Sequence, residues 1–272
     1  MMSNKKIIFF ILINVLYFTK DISANSILNS SNRKYHTTVN LRAGVAFFSN
    51  GVEFFDIYKD EFGGLVDYFK AFPELGVSIK VQLDDNWRIG LSTDYTEAKI
   101  NDAYFQEQLS FGSKFTRFIA QDVTFRQLPI MINLEYNPNW LTQFRTFTGV
   151  ALGINANYTL WNERVSSNLI YDKRVSGTKY NQLDLLGAYK IFTAVDLGFD
   201  KKTLDHFLAS LILQVSYTGF LGKIDLFNKV KNEFENIPSS FEMGVTPISG
   251  YFSINLALSF NFNRKEKSPK GN

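Results

Sequence analysis

Two histidines, His36 and His206, and no cysteine are all the imidazole and thiol that this chain of 272 residues offers to chemistry. The absence of cysteine excludes disulfide frameworks, thiol nucleophiles and cysteine zinc sites. A histidine-based hydrolase or acyltransferase needs a base and a nucleophile within hydrogen-bond reach. His36 precedes the first strand and His206 lies in a short turn, so both fall at one end, away from the long connections where such a site would open. Carboxylate neighbours such as Asp60 with Glu61, and Glu233 with Glu235, sit in polar loop sequence and read as solubilising charge. Phosphate-loop and dinucleotide fingerprints do not occur. The sequence points to no catalytic residue, no metal ligand, no cofactor and a non-enzymatic protein. A different set stands out: Arg42, Lys80, Arg88, Arg145 and Lys190 with Glu74, Asp94, Glu135 and Asp196, each inserted at alternate positions among apolar neighbours. Nearly balanced charge on one protected face makes either a salt-bridged network or the lining of a narrow pore.

The elements that place those charges are eight runs of period two: Val39–Phe47, Glu74–Leu83, Trp87–Thr96, Gln127–Tyr136, Phe144–Asn155, Tyr189–Phe199, Phe207–Tyr217 and Phe252–Phe262. Alternate residues in each run are apolar, aromatic or Thr, and none of these 44 positions is charged, whereas all nine charges sit on the opposite face. Such segregation requires one face to meet a medium without water. On a barrel exterior at the bilayer midplane an Arg or Lys costs roughly 2–4 kcal/mol. The same alternation would suit a soluble lipocalin-type barrel with its apolar face turned inward, or a β-sandwich.

Connections between runs alternate in length. Asp84-Asp85-Asn86, Asn137-Pro138-Asn139 and Asp200-Lys201-Lys202 mark short turns, and residues 48–72, 98–126, 157–186 and 219–249 are long. Bacterial outer-membrane barrels have an even strand number, short periplasmic turns and longer extracellular loops. Trp87, Tyr136, Trp140 and Phe262 map to the short-turn rim, and Tyr95, Tyr189 and Tyr217 to the other, as interface aromatics of a transmembrane barrel would. The expected fold is all-β: an eight-stranded antiparallel up-and-down transmembrane β-barrel with short periplasmic turns and long extracellular loops.

The N-terminus supplies an address. Lys5-Lys6, the apolar stretch Ile7–Phe18 and Ile22-Ser23-Ala24 read as a cleaved export signal, residues 1–24. Residues 25–36 would then be a periplasmic lead-in, 37–263 the outer-membrane barrel and 264–272 a basic periplasmic tail. The whole chain carries 29 Lys+Arg against 26 Asp+Glu, too even a balance for a nucleic-acid partner. After the signal no uncharged apolar run approaches the ~20 residues of a membrane helix.

Leu128-Pro129-Ile130-Met131-Ile132-Asn133-Leu134-Glu135-Tyr136, followed after a turn by Gly149-Val150-Ala151-Leu152-Gly153-Ile154, resembles the central hairpin of small bacterial outer-membrane β-barrel proteins of the OmpA/OmpX and PorT-like, porin-family kind. The resemblance covers roughly residues 37–262 and is one of pattern, without a catalytic signature. It implies outer-membrane lipid and the barrel-assembly machinery as partners, and allows an accessory role in protein secretion. Family members typically end on an aromatic residue, whereas here Asn263–Asn272 follow Phe262.

An eight-stranded barrel is just wide enough to be filled by side chains, so the nine charges are expected to pair across the lumen rather than line a channel. Gly149, Ala151 and Gly153 would leave room for Lys80 or Arg145. Pro129 must sit where the ladder can spare an N–H, near the outer rim at a bulge. The first long loop interleaves Phe54, Phe55, Tyr58, Phe62, Tyr68 and Phe69 with acids. Those aromatics either form a docking surface for a protein or surface ligand, or pack on one another. The expected role is structural or interactive (adhesion or partner docking), with a porin-like narrow channel and a secretion accessory as alternatives.

Overall fold

The computed structural model describes residues 37–49, 52–84, 86–110, 113–137, 145–167, 179–197, 208–227, 230 and 248–262. The export signal, lead-in, basic tail, His36, Trp140 and His206 lie outside the described residues. Eight strands, β1 (Thr37–Phe48), β2 (Phe72–Gln82), β3 (Trp87–Ser110), β4 (Ser113–Tyr136), β5 (Arg145–Ser167), β6 (Lys179–Asp196), β7 (Leu208–Leu221) and β8 (Gly250–Phe262), form a closed barrel in sequence order. Each pairs antiparallel with the next, and β8 closes on β1 from Thr37↔Phe262 to Phe48↔Tyr251. This is the eight-stranded up-and-down topology expected from the alternation.

Side-chain parity follows from that closure. Leu91, Ile132, Leu152, Ile191, Val215, Leu256 and Leu41 point outward and are exposed, while Ser92, Asn133, Ala151, Lys190, Gln214, Asn255 and Arg42 point inward and are buried. Of the short turns, the described one is held by Asp84, whose Oδ1 accepts the N–H of Asn86 at 2.8 Å and of Trp87 at 2.7 Å. An Asp that substitutes for backbone acceptors in this way lets the chain reverse within a few residues.

Two of the long connections turn out to be mostly strand. Residues 98–126 continue β3 and β4 to a tip at Ser110↔Ser113, and the β5–β6 ladder runs on to Asn162↔Lys179. Since β2 accompanies β3 only to Glu74↔Thr96, strands β3–β6 rise as a wall above the rest of the rim. The apolar residues change sides on the way up. On β3 the outward Trp87, Ile89, Leu91 and Tyr95 give way to the inward Ala98, Ile100 and Tyr104, with Glu97 and Lys99 now facing out. On β4 the inward Ile119, Val123 and Phe125 give way to the outward Leu128, Ile130 and Ile132.

This inversion happens without a bulge. Thr93↔Ile130 and Thr96↔Gln127 keep one register across the gap opposite Leu128 and Pro129. Pro129 therefore sits mid-strand, paired to Asn155 of β5, and interrupts the β3 ladder rather than shifting it. A register shift lies instead between Leu208 and Ser210 of β7.

What the wall encloses is a helix. Phe54, Phe55, Tyr58 and Phe62 recur with helical spacing along α1 (Val52–Phe62), and all four are buried. Gly63, at φ 73°, ends α1 by donating its N–H to the Lys59 carbonyl at 2.9 Å. Of the two readings of the first long loop, packing holds for these aromatics, and Tyr68 alone of the six is largely exposed.

Candidate functional site: the lumen and its cap

Period two turns every second residue of a closed barrel inward, so eight of the nine sequence-selected charges stand at inward-facing positions on five different strands, the side chain of Arg145 lying outside the described residues. Arg42 of β1 donates from Nη2 to Asp94 Oδ1 at 2.7 Å and from Nη1 to Ser78 Oγ at 3.0 Å. Lys190, from the far side of the barrel, donates to the other Asp94 oxygen at 2.9 Å and to Glu74 Oε1 at 3.5 Å. Asn255 Nδ2 completes Glu74 at 2.9 Å. Arg42, Asp94, Lys190 and Glu74 thus form one continuous chain of charge across the lumen, and Lys80 pairs separately with Glu135.

Three cations and three anions balance in this layer, all of them buried. Breaking such a pair strands a buried charge, which is why the whole set must be kept together. Below it, the Phe147 and Phe192 rings lie 5.1 and 5.8 Å from Lys80 Nζ, and the Arg88 guanidinium lies 5.9 Å from Phe147. Asp196 is the register partner of Arg145, whose side chain lies outside the described residues.

Glycine makes room for the network, though not where the sequence suggested. A Cβ on Gly76 would strike Asp94 Oδ1 and come within 3.1 Å of the Arg42 guanidinium. Gly149 accommodates the Phe192 ring and Gly153 the β4 backbone, and it is Gly90 that Lys80 passes over, while the Arg145 side chain lies outside the described residues. The cavity left between Arg42, Glu135, Lys190 and Phe192 is about 10 Å³, the space of a single water.

Above the charges the lumen is occupied by a mainly apolar plug, with Asp102, Arg117, Gln121 and Glu163 among the buried polar side chains of the wall around it. Phe54 stacks on Phe227 at 5.2 Å, Phe62 meets Trp161 of β5 at 5.0 Å, and Ile224, Leu226 and Val230 close over them. Two inward residues of β3 fasten this plug. Asp102 Oδ2 accepts the Tyr58 hydroxyl at 3.1 Å and the N–H groups of Leu65 and Val66 at 2.7 and 3.3 Å. The Tyr104 hydroxyl donates to the Phe62 carbonyl at the end of α1. Burial, reinforced by the Asp102 carboxylate, pushes the Tyr58 hydroxyl well above its ordinary pKa, so it stays a donor.

Asp102, Tyr104, Trp161 and α1 itself are what the strand pattern did not single out. The signal was present as a four-residue, one-face helical spacing at 54, 58 and 62 inside a stretch read as loop.

The outer surface carries the remaining selected residues. Trp87 and Tyr136 pack at 4.8 Å near the short turns, and Tyr217 lies 6.0 Å from Tyr189 and 4.9 Å from Phe252 toward the other rim. The side chains of Trp140 and Phe262 lie outside the described residues. Just above Tyr95, Glu97 accepts from Arg126 Nε at 2.7 Å, from the Tyr95 hydroxyl at 2.9 Å and pairs with Lys99 at 2.7 Å. Burial alone would raise the Glu97 carboxyl, but hydrogen bonds from Lys99, Arg126 and Tyr95 outweigh it and hold the pKa down at about 2.

Among the described residues no group of three or more His, Asp or Glu side chains is arranged to hold a metal ion. No described helix is long and apolar enough to cross a membrane, which leaves crossing by strands untouched.

No family model and no curated protein matches the chain. Solved structures that match include small eight-stranded outer-membrane barrels. Ail, the attachment invasion locus protein of Yersinia pestis, crystallised with the heparin analogue sucrose octasulfate, is 8% identical over 85% of this chain and 100% of its own, at a TM-score of 0.39. Neisserial surface protein A is 10% identical over 86% of this chain and 100% of its own, at 0.35. A major outer membrane protein from Thermus thermophilus is 10% identical over 83% of this chain and 99% of its own, at 0.39. The eight-stranded closure stands on this chain's own pairing.

Proposed function

We propose that the protein is an integral outer-membrane β-barrel with a side-chain-filled lumen, which acts by presenting its capped outer end to a protein or surface ligand. One observation carries this reading: charge is inside and hydrocarbon outside. Leu152 and Ile132 are 68% and 62% exposed, whereas Arg42, Asp94, Lys190 and Glu74 are buried. A lipocalin-type barrel would need the reverse, because its outer face meets water. Lipid hydrocarbon is the solvent for which this exterior is suited, and no charge stands among the outward residues between Trp87 and Tyr95 or between Leu128 and Tyr136.

Even strand number and short turns at one end support an orientation with the short turns periplasmic and the wall, α1 and the cap outside. Residues 1–24 would be removed on export, and the barrel-assembly machinery would insert the remainder. The outer end offers Leu65, Tyr68 and Phe105, exposed by 68%, 64% and 74%, and the exposed acids Glu53, Asp56 and Asp67. Exposed aromatics held on a rigid scaffold are suited to docking. The lumen is unsuited to conduction, being crossed by an ion-paired layer and then by the plug.

Outer-membrane fractionation with heat-dependent gel mobility tests the placement; a mature chain soluble and monomeric without detergent refutes it. Planar-bilayer recording tests the closed lumen, since steady single-channel current would establish the channel reading. Cross-linking in intact membranes to export components, in place of a surface ligand, would establish the secretion role.

A further inference from the structure

The level at which the apolar residues change sides is uneven around the barrel. Thr96, Gln127, Asn157 and Asp184 are register partners in one row across β3, β4, β5 and β6. On β3 and β4 that row lies at the inversion, directly beside the outward ion pair Glu97–Arg126. On β5 and β6 the inversion comes later. Ala156, Tyr158 and Leu160 still face outward there, as do Leu185 and Leu183, while Asn157, Thr159, Gln182 and Asp184 still face inward.

Strand tilt widens the difference. Followed the other way from Thr96, the row passes through Glu74, Gly44, Asn255 and Gln214 and returns to β6 at Ala194, not at Asp184. The row therefore climbs away from the short-turn end on going from β3 to β6, so Leu183 stands higher than Glu97. Leu183, Leu185 and the neighbouring Leu221 of β7 are 65%, 70% and 58% exposed. At the short-turn end of the same flank, the outward positions include Thr146, Thr148 and Thr193, where other strands carry Leu134, Ile89 and Leu258.

We infer that the barrel stands tilted in the bilayer, leaning toward β5–β7, so that Leu160, Leu183, Leu185 and Leu221 are covered by acyl chains of the outer leaflet while Glu97 and Arg126 mark the water line on the β3–β4 side. The inference rests on the membrane placement proposed above. Lipid is the occupant because the patch is continuous with the outward band through Ile154, Ile191 and Tyr189, with no charged side chain between. Position in a bilayer is set by such apolar limits and by interfacial anchors, and a skewed band is satisfied by leaning.

With no native cysteine, single Cys variants can be labelled cleanly. Leu152→Cys, Leu183→Cys, Leu185→Cys and Lys99→Cys in the full-length protein, each carrying an environment-sensitive fluorophore, are placed in phosphatidylcholine vesicles. Quenching by brominated acyl chains is compared with quenching by aqueous iodide. Labels at 152, 183 and 185 should lose most of their emission to brominated lipid and little to iodide, and the label at 99 the reverse. Iodide quenching at 183 and 185 equal to that at 99, with 152 still in lipid, overturns the tilt. Protection of 183 and 185 from both quenchers, with label–label proximity, overturns it in favour of a second copy of the chain. Iodide quenching at 152 would instead defeat the membrane placement itself.

Discussion

Leu256 is the sharpest place to test which medium surrounds the barrel. It lies midway along the outward set of β8, between Ile254 and Leu258, flanked by Ala43 of β1 and Leu213 of β7, and is 52% exposed. Leu256→Arg puts a guanidinium in the middle of the proposed hydrocarbon band. Near the bilayer midplane this costs about 2–4 kcal/mol, or roughly 30- to 900-fold in the folding equilibrium. The control is Ala103→Arg on β3, also outward and exposed, but above the Glu97–Arg126 pair. In water that change should stay within about 0.5 kcal/mol. Guanidinium unfolding in lipid vesicles, followed by the heat-dependent gel shift, measures both. Equal losses for the two variants would mean the exterior is one uniform medium, and the reasoning about sides would fail. A lumen substitution is a poor control here: Asn255→Arg would add bulk where Asn255 already presses on Gly44 and holds Glu74, so it should destabilise through crowding rather than desolvation.

Asp94→Ala strips both Arg42 and Lys190 of a carboxylate and should cost about 3–5 kcal/mol in the same unfolding assay; a loss below about 1 kcal/mol would show that the lumen is wet enough to solvate the orphaned cations. Asp102→Ala leaves the Tyr58 hydroxyl and two backbone N–H groups without their acceptor and should destabilise α1 by about 1–3 kcal/mol, read as faster tryptic cleavage at Lys59 and Lys70 in the intact protein. Glu97 has its folded pKa depressed to about 2 from an ordinary 4.5, so its pairing contributes fully above pH 4.5 and is lost as pH falls toward 2. For a pair this accessible the contribution is at most about 1 kcal/mol, and the difference in stability between wild type and Glu97→Gln should shrink across that window. Bilayer recordings of Asp102→Ala should remain without steady current, because the Arg42–Asp94–Lys190 layer still closes the lumen beneath the plug.

Strand count and facing were legible because an apolar exterior on one side and packed polar side chains on the other impose opposite chemistry on successive residues. Legibility ended where the outer face changed. At Glu97 the outward face of the wall turns from apolar to charged, and its apolar residues move from odd to even positions along β3 while the register holds. Read by period alone, such an inversion looks like the end of a strand, and residues 98–126 therefore read as a loop. The charge partners were illegible for another reason. Parity assigns Lys190 to the lumen, but only barrel closure brings β6 to within 2.9 Å of Asp94 on β3. The helix was hidden by the prior that a long connection between strands is loop, although Phe54, Tyr58 and Phe62 already traced its buried stripe.

On β3 and β4 the lumen gains large apolar side chains at the height where the exterior gains charge. Where the outside is apolar the inside holds Arg42, Lys80, Glu74, Asp94 and Glu135; where the outside carries Glu97, Lys99, Asp122 and Arg126 the inside holds Phe54, Phe62, Phe125 and Trp161 together with Asp102, Gln121 and Glu163. Each level of the wall thus turns inward side chains that need a partner within the lumen. Charges supply that partner in the lower part, since side chains from five strands can meet across a narrow barrel. Above the rim the strands are too few to fill the space themselves, so α1 with Ile224, Leu226 and Val230 supplies it. Opening a conduit would therefore require two unrelated events, withdrawal of a plug fastened by Asp102 and rupture of a buried ion network. A protein built this way is suited to holding its outer end rigid.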